Sequence, residues 1–284
     1  MFVKFFKSKL IKISDLVGFT LGYILPMRSI DSIRSKKLKV FRKNNIVFLM
    51  ENYGPLSRKR ARSFESKEPE TLNWIESFEI NDTFMDIGAN IGIYTLYAAK
   101  RGHKVVSFEP ESQNFALLQR NISLNNLDKY ISLFGISIYN EFLISELNIS
   151  GGVEYGSSHN SFNTPTTEDG ETFVPIRKQG SLGITLDYFV ENFNFKPTHI
   201  KIDVDGLEEN ILWGSKTLLK KKFLKSILVE LSPYNKNYKN IIKIFQISGF
   251  KQIYPEVDAK EYILSSPKNK HLLTCNHIFY RIKD

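Results

Sequence analysis

What the sequence lacks already excludes several classes of protein. The chain of 284 residues has one cysteine, Cys275, so no intrachain disulfide is possible and a small disulfide-stabilised secreted domain is excluded. Cys and His residues do not recur at zinc-site spacings. The uncharged stretch from Leu16 to Met27 is too short to span a bilayer, and no small-residue cleavage site follows it. We therefore expect a reducing, cytoplasmic location.

Basic charge is concentrated at the start of the chain. The formal net charge is +9, yet residues 1–65 hold 15 Lys and Arg against 4 Asp and Glu, and residues 66–284 hold 24 against 26. With 42% apolar side chains, the chain can bury a full core. We predict a basic N-terminal extension over 1–65 and one catalytic domain over 66–284. That domain lacks the basic surface of a nucleic-acid binder.

Residues 1–25 have the spacing of an amphipathic helix. Apolar side chains such as Phe2, Phe6 and Leu10 recur close to the helical period, and lysines lie on the opposite side. A cationic helix of this kind either makes a peripheral contact with a membrane interface or packs on its own domain or a second subunit. The sequence leaves both alternatives open.

The segment that follows is basic and irregular. Residues 31–43 have little apolar periodicity, which predicts a solvated connector or a short helix. Apolar residues within 40–49 predict short strands that form a hairpin. The basic cluster at 58–62 either binds a phosphate group or is an ordinary charged surface. Thr71 stands where it would cap a helix that leads into the next strand.

A buried strand followed by a glycine loop dominates the remaining sequence. The apolar run that starts at Thr83 predicts a buried parallel strand with Asp86 at its end, and Ile91 to Lys100 predicts the helix after it. Gly88, Ala89 and Gly92 would let a ligand approach the backbone at the helix N-terminus. The next strand ends on Glu109, about twenty residues after the first glycine, where a carboxylate accepts hydrogen bonds from a ribose.

This loop does not fit a nicotinamide dinucleotide. Gly88 to Gly92 reads G-A-N-I-G and is followed by Ile93 and Tyr94, so the third glycine of G-x-G-x-x-G is missing. A cofactor with a ribose and no pyrophosphate fits better, and S-adenosylmethionine is the common one. A plain strand, loop and helix without a ligand is disfavoured because Glu109 accompanies the glycines.

Strands and helices alternate over the rest of the domain, with one interruption. Residues 141–182 are rich in turn residues with short strand-like pieces between them. We predict a variable insertion there that acts as a lid or a substrate-recognition surface. About seven strands are expected in all, and the last two form an antiparallel pair. This pattern is typical of an α/β fold with a doubly wound sheet and a C-terminal antiparallel hairpin.

Several motifs, taken in order, resemble the FkbM family of S-adenosylmethionine-dependent methyltransferases. They are Asp86 to Gly92, Phe108 to Pro110, Thr185 to Asp187, Ile200 to Gly206 with Glu208, and Leu228 to Glu230. Asp205 stands where the usual family motif D-V-E-G has a Glu. The chain is also similar to a branch of the family, often tied to surface polysaccharide synthesis, that carries E-P-E-T before the first strand and D-V-D-G later.

The resemblance implies a class I, Rossmann-like methyltransferase that methylates a hydroxyl of a sugar or natural-product scaffold, so the expected partner is a carbohydrate or glycoconjugate acceptor. Position in the motifs implies a set of cofactor-binding residues: Asp86, Gly88, Ala89, Asn90, Gly92, Glu109 and Pro110. Glu70 and Thr71 are expected to close over the carboxylate of the cofactor. Residues 1–60 lie outside the resemblance and inherit nothing from it.

Methyl transfer to a hydroxyl benefits from a general base. The carboxyl ends of strands meet at the ligand crevice of an open sheet, which brings Asp203, Asp205 and Glu230 together. Asp203 is the base that we predict from position, and His159 in the insertion is an alternative. Asp205 either hydrogen-bonds the acceptor or caps the next helix. Asp and Glu alone are a weak metal signal, so we predict no metal.

Two other functions account for parts of the sequence. The total charge suggests a nucleic-acid methyltransferase, but base methylation usually places an N-P-P-Y-like loop where this chain has Asp203 to Gly206. A non-catalytic binding module on the same fold is the other alternative. The intact glycine loop and Glu109 argue against it.

Overall fold

The computed structural model describes residues 36–42, 46–151, 154–265 and 273–282. The amphipathic helix predicted over 1–25 lies outside these residues. Among the helices that are described, none is long and apolar enough to cross a bilayer.

Strands and helices alternate along the described chain. The strands are β1 (Lys36–Arg42), β2 (Ile46–Asn52), β3 (Thr83–Ile87), β4 (Lys104–Phe108), β5 (Ile131–Phe134), β6 (Ser137–Ile138), β7 (Leu143–Ile149), β8 (Asn160–Phe162), β9 (Arg177–Ile184), β10 (His199–Ile202), β11 (Ser226–Leu231), β12 (Phe250–Tyr254) and β13 (Cys275–Arg281). The helices are α1 (Pro55–Arg62), α2 (Phe64–Lys67), α3 (Pro69–Glu76), α4 (Ile93–Lys100), α5 (Ser112–Leu124), α6 (Leu186–Phe193), α7 (Glu208–Trp213), α8 (Tyr238–Ile247) and α9 (Ala259–Ser265), with a 3₁₀ turn at Leu218–Lys220.

The central sheet has seven strands in the order β12-β13-β11-β10-β3-β4-β5. Neighbouring strands from β11 to β5 run parallel, and β13 is antiparallel to both β11 and β12. The predicted doubly wound sheet with a C-terminal antiparallel pair is confirmed. Chain order reverses between β3 and β10, and ligands of such sheets bind at that reversal.

The strand registers align three chain segments at one edge of the sheet. The last residues of β3, β4 and β10 lie side by side. The next residues, Gly88, Glu109 and Asp203, therefore leave the sheet together. This alignment follows from parallel pairing, and it positions the candidate site.

The sheet is buried on both faces because its strands alternate between two apolar layers. Phe84 of β3 belongs to one layer, whereas Met85 belongs to the other. The first layer also contains Phe48, Met50 and Phe64 from the N-terminal part of the chain. Residues of the predicted extension therefore share a core with the domain that follows them.

The N-terminal hairpin differs in part from expectation. The strands predicted within 40–49 are present, but the connector or short helix predicted over 31–43 is wrong from Lys36 onward, where β1 pairs with β2. The strand forms despite its basic composition because its partner β2 buries Phe48 and Met50 and tertiary packing overrides local propensity.

Helix α3 begins earlier than predicted. Its N-cap is Glu68, and Pro69 occupies the first turn, where a missing N–H group has no cost. Thr71 is therefore inside the helix and buried, so its prediction as the cap is wrong.

The insertion predicted over 141–182 contains more regular structure than its turn-rich sequence indicates. It supplies β7, β8 and most of β9 to a second sheet of order β6-β9-β7-β8. Tyr139, Leu147, Ile149 and Phe162 pack with Leu207 in a small core of their own. The contact with Leu207, just before α7, holds the insertion over the carboxyl edge of the central sheet.

Candidate active site

A cavity of about 680 Å³ opens where the strand ends, the insertion and one face of α1 meet, and its volume is typical of small-molecule sites. A smaller recess beside it is lined by Asp86 and Ala89, among others. Glu70, Thr71 and Gly92 line neither space within the described part of the chain. The predicted residues that line the larger cavity are Gly88, Asn90, Glu109, Pro110, His159, Asp203, Asp205 and Glu230.

Glu70 and Thr71 are held by the sheet instead. The Asn276 side-chain amide donates to Glu70 Oε1 at 2.8 Å and to Thr71 Oγ1 at 3.2 Å. Thr71 Oγ1 also lies 3.3 Å from Glu68 Oε2. These bonds join α3 to β13 and give neither residue a contact with the cavity.

Two glycines of the loop are required by close packing. Gly88 has φ +80°, and a Cβ added there would lie 1.8 Å from the carbonyl oxygen of Asp203. Gly92 has φ +88°, and its Cβ would lie 2.0 Å from Leu118 Cδ1. Gly88 thus lets β3 and β10 end in contact. Gly92 packs α4 against α5, a role different from the cofactor contact predicted for it.

Glu109 is a buried carboxylate with a fixed orientation. Its Oε2 accepts the Asn90 N–H at 2.7 Å, and its Oε1 accepts the Glu111 N–H at 2.9 Å. Burial raises the pKa of Glu109 to about 8, even though both N–H groups favour the charged form. In the charged form each oxygen keeps acceptor capacity for a further donor, as a ribose with two hydroxyls requires.

The insertion closes over the glycine loop through one backbone turn. The carbonyl of Ser157 accepts from the side-chain amides of Asn90 at 2.7 Å and Asn114 at 3.0 Å. The carbonyl of Gly156 accepts from Arg60 Nε at 2.9 Å. Asn114 is not predicted as a site residue, and Arg60 is predicted only as one of the basic cluster at 58–62, because the partners of both lie far away in the sequence.

Asp203 has a partner that weakens it as a base. Lys201 Nζ lies 2.6 Å from Asp203 Oδ2, and its side chain is 1% exposed. Burial alone would raise the pKa of Asp203, but Lys201 and Lys67 hold it well below its usual range. A carboxylate that binds protons so weakly is a poor general base. The structure therefore places Asp203 in the cavity but disfavours the role predicted for it.

His159, Glu168 and Asp205 form a compact cluster in the cavity. His159 Nδ1 lies 3.1 Å from Glu168 Oε1 and 3.7 Å from Asp205 Oδ1, and the His159 N–H donates to Asp205 Oδ2 at 2.6 Å. The hydrogen bond to Glu168 raises the pKa of His159. Burial and the charge of Asp203 raise the pKa of Asp205 to about 7. The cluster can exchange a proton near neutral pH.

The same three side chains are close enough to share a cation, since their ligand atoms all lie within 4.8 Å of one another. The prediction of no metal remains a prediction. His159 and Asp205 both have left-handed backbones, with φ 65° and 56°, a conformation that non-glycine residues adopt at a cost and that often marks functional sites.

Gly206 explains how Glu168 reaches this cluster. Gly206 has φ +107°, and a Cβ added there would lie 2.3 Å from the carbonyl oxygen of Thr167. The insertion backbone can therefore pack directly on Gly206, which sets Glu168 beside Asp205. Glu168 was not predicted, and its only sequence signal was a place in a turn-rich segment.

Solved methyltransferases resemble the chain at low identity. The FkbM methyltransferase from Methylobacillus flagellatus is 16% identical with a TM-score of 0.41, and the match covers 72% of this chain and 45% of that one. The SAM-dependent methyltransferase from Agrobacterium tumefaciens is 8% identical with a TM-score of 0.46, covering 87% and 71%. The METTL16 methyltransferase domain is 13% identical with a TM-score of 0.45, covering 87% of each chain. The chain thus spans less than half of the Methylobacillus protein.

The family comparison concerns the same residues as the cavity. No curated protein matches the chain. The sequence does match the model of the Methyltransferase FkbM domain over residues 86–254, more than half of the chain. That span begins at Asp86 and includes the glycine loop, Glu109 and the cluster at Asp205. The chain therefore belongs to the FkbM family of methyltransferases, and its methyl donor is S-adenosylmethionine.

Proposed function

We propose that the protein transfers the methyl group of S-adenosylmethionine to a hydroxyl oxygen of a sugar, in the assembly of a surface polysaccharide, another glycan or a natural product. The observation that carries this proposal is the position of a histidine and carboxylate cluster in the same cavity as Glu109 and the glycine loop. Transfer to a hydroxyl needs a base close to the bound methyl donor. We call the part of the cavity at the glycine loop and Glu109, where the donor would bind, the donor seat.

The donor seat is proposed at the glycine loop. Glu109 would accept hydrogen bonds from the ribose hydroxyls through the acceptor capacity that Asn90 and Glu111 leave free. Pro110 would border the adenine. The recess lined by Asp86 and Asp203 would face the positively charged methionine portion, where carboxylates stabilise the sulfonium and ammonium charges.

His159 is the base that the geometry favours. With Glu168 accepting the Nδ1 proton, the ring is held in the tautomer whose Nε2 lone pair is free. Its side chain is 62% exposed, so an acceptor hydroxyl can reach it. The hydroxyl proton would move to Nε2 as the oxygen takes the methyl group and the donor's sulfur–carbon bond breaks. S-adenosylmethionine supplies the electrophilic methyl, and the protein aligns the oxygen with it.

A hydroxyl-rich ligand suits the acceptor side of the cavity. Asn160 lines the cavity, and its Oδ1 is buried with no hydrogen-bond partner among the described residues. An unpaired buried acceptor is costly unless a ligand donates to it. Apolar side chains such as Phe162 and Leu147 also line the cavity, and the carbon face of a sugar ring can pack against such groups.

The test is the position of the transferred methyl group. The full chain is incubated with isotopically labelled S-adenosylmethionine and, separately, with nucleotide sugars, oligosaccharides, RNA and DNA. Mass spectrometry and NMR should place the label on a sugar oxygen. Label on a nucleobase would support the nucleic-acid alternative. Donor binding with no transfer to any acceptor would support the non-catalytic module.

We also propose a cytoplasmic setting with a peripheral membrane contact through residues 1–25. Their predicted apolar stripe and lysines suit an anionic lipid surface. Co-sedimentation with anionic liposomes checks this: removing residues 1–30 should abolish pelleting, and pelleting that survives the deletion contradicts the membrane contact.

A further inference from the structure

The glycine loop has no spare N–H group for the carboxylate of the donor. The N–H groups of Gly88 and Ala89 both donate to the Phe108 carbonyl at 3.0 Å. The next three N–H groups are also occupied. Asn90 N–H donates to the Glu109 carboxylate, Ile91 N–H donates to the Asn90 side chain, and Gly92 N–H donates to the Ala89 carbonyl. Anions often bind to free N–H groups at such loops. Here an anion would have to displace a hydrogen bond already formed.

The acidic lining of the recess beside the loop would repel a carboxylate that has no cationic partner. Glu68, Asp86 and Asp203 line it, and each would repel a further negative charge. Two of its cations are already engaged: Lys201 lies 2.6 Å from Asp203, and Lys67 lies 2.6 Å from Glu68. A third cation is therefore needed to hold the donor's carboxylate.

Arg60 is the remaining cation that lines the recess. It lines both the recess and the larger cavity, and its Nε donates to the neutral carbonyl of Gly156. Among the described residues no carboxylate forms an ion pair with it. Glu109 and His159 line the same cavity as Arg60, and the charge of Arg60 lowers the pKa of both groups. Ser63 and Lys67 line the recess on the same side.

We propose that Arg60 in α1 binds the carboxylate of S-adenosylmethionine, with Ser63 lining the same side of the recess. The guanidinium keeps its terminal N–H groups for a charge-assisted, two-point bond to a carboxylate. This assignment replaces Glu70 and Thr71, which Asn276 holds. It rests on the donor seat at Glu109 that the proposed function uses.

Decarboxylated S-adenosylmethionine isolates this contact, because it lacks only the group in question. Calorimetry on the full chain, without acceptor, measures the affinities of both donors for wild type, Arg60→Met and Arg62→Met. Arg62 is exposed in the same helix and lines neither space, so it is the matched control. Arg60→Met should weaken S-adenosylmethionine by about 10- to 100-fold, as loss of a charged hydrogen bond does.

The same substitution should leave the affinity of the decarboxylated donor unchanged, and Arg62→Met should change neither. Arg60→Lys keeps the charge and should restore part of the preference. Equal weakening of both donors by Arg60→Met would show loss of the turn at Gly156 rather than of a carboxylate contact, and it would overturn the inference. If Arg60→Met binds S-adenosylmethionine as tightly as wild type does, Arg60 does not hold the carboxylate, and the inference is likewise overturned.

Failure of the donor seat itself gives a different result. If Glu109→Gln binds S-adenosylmethionine as tightly as wild type, the seat at Glu109 is misplaced and the proposed function loses its cofactor assignment. If Glu109→Gln weakens the donor and Arg60→Met does not, the carboxylate contact alone is wrong.

Discussion

The two ends of the cavity are built in different ways. The donor end, formed by the loop at Gly88 and by Glu109, consists of segments that leave adjacent parallel strands in register. The acceptor end, formed by His159, Glu168 and Asp205, joins the insertion to the turn after β10. One end depends on the central sheet and the other on how a separate sheet packs over it. The two should therefore fail independently.

Breaking the donor end should have the largest effect. Gly88→Ala forces a Cβ to within 1.8 Å of the Asp203 carbonyl at a positive φ, so either the loop or β10 must move. We expect a loss of about 2 to 5 kcal/mol in the free energy of unfolding and no measurable donor binding. Denaturant titration and calorimetry check this. A stable variant with normal donor affinity would show that the contact at Gly88 does not shape the seat.

Breaking the acceptor end should leave the donor in place. Gly206→Ala puts a Cβ 2.3 Å from the Thr167 carbonyl, which pushes Glu168 away from Asp205. Turnover should fall about 100-fold, as a misplaced catalytic group does, while the Kd of S-adenosylmethionine stays as in wild type.

Gly180→Ala is the matched control for Gly206→Ala, since it lies in β9 with open space around its Cβ. It should behave as wild type in both measurements. If Gly206→Ala weakens donor binding as much as turnover, the two ends are coupled and the comparison between them fails.

Glu168→Gln tests whether His159 is the base at the acceptor end, through the pH dependence of kcat. Ionised Glu168 stabilises the imidazolium and so raises the pKa of His159. Without that charge the pKa of His159 falls, so the base becomes neutral at lower pH and the rising limb of kcat shifts to lower pH. A rising limb that stays in place would mean that His159 is not the group that titrates.

The smallest effect is expected from chelation. With no metal in the mechanism, exhaustive treatment with a chelator should leave turnover unchanged. A loss that magnesium restores would contradict the prediction and would make His159, Glu168 and Asp205 the candidate ligands.

The two ends also differ in how far the sequence predicts them. Glu109 is found from local signals, a strand and a glycine loop at a known spacing. Lys201 is not predicted from the sequence as the partner of Asp203. The strand pattern could have indicated it, because residues two apart on a strand point to the same side. Arg60 has only a non-specific signal, its place in the basic cluster at 58–62, and Glu168 has none, since their positions depend on how α1 and the insertion pack. The seven-stranded sheet follows from periodicity, whereas the pairing of β7 with β9 joins segments about thirty residues apart that periodicity does not connect.

The most direct test measures donor binding and methyl transfer in the same His159→Ala variant. Removing the base but not the donor seat should lower kcat by at least about 100-fold, while calorimetry returns the wild-type Kd for S-adenosylmethionine. Turnover that survives the substitution, or a parallel loss of donor affinity, would contradict the account of a distinct catalytic base beside an intact donor seat.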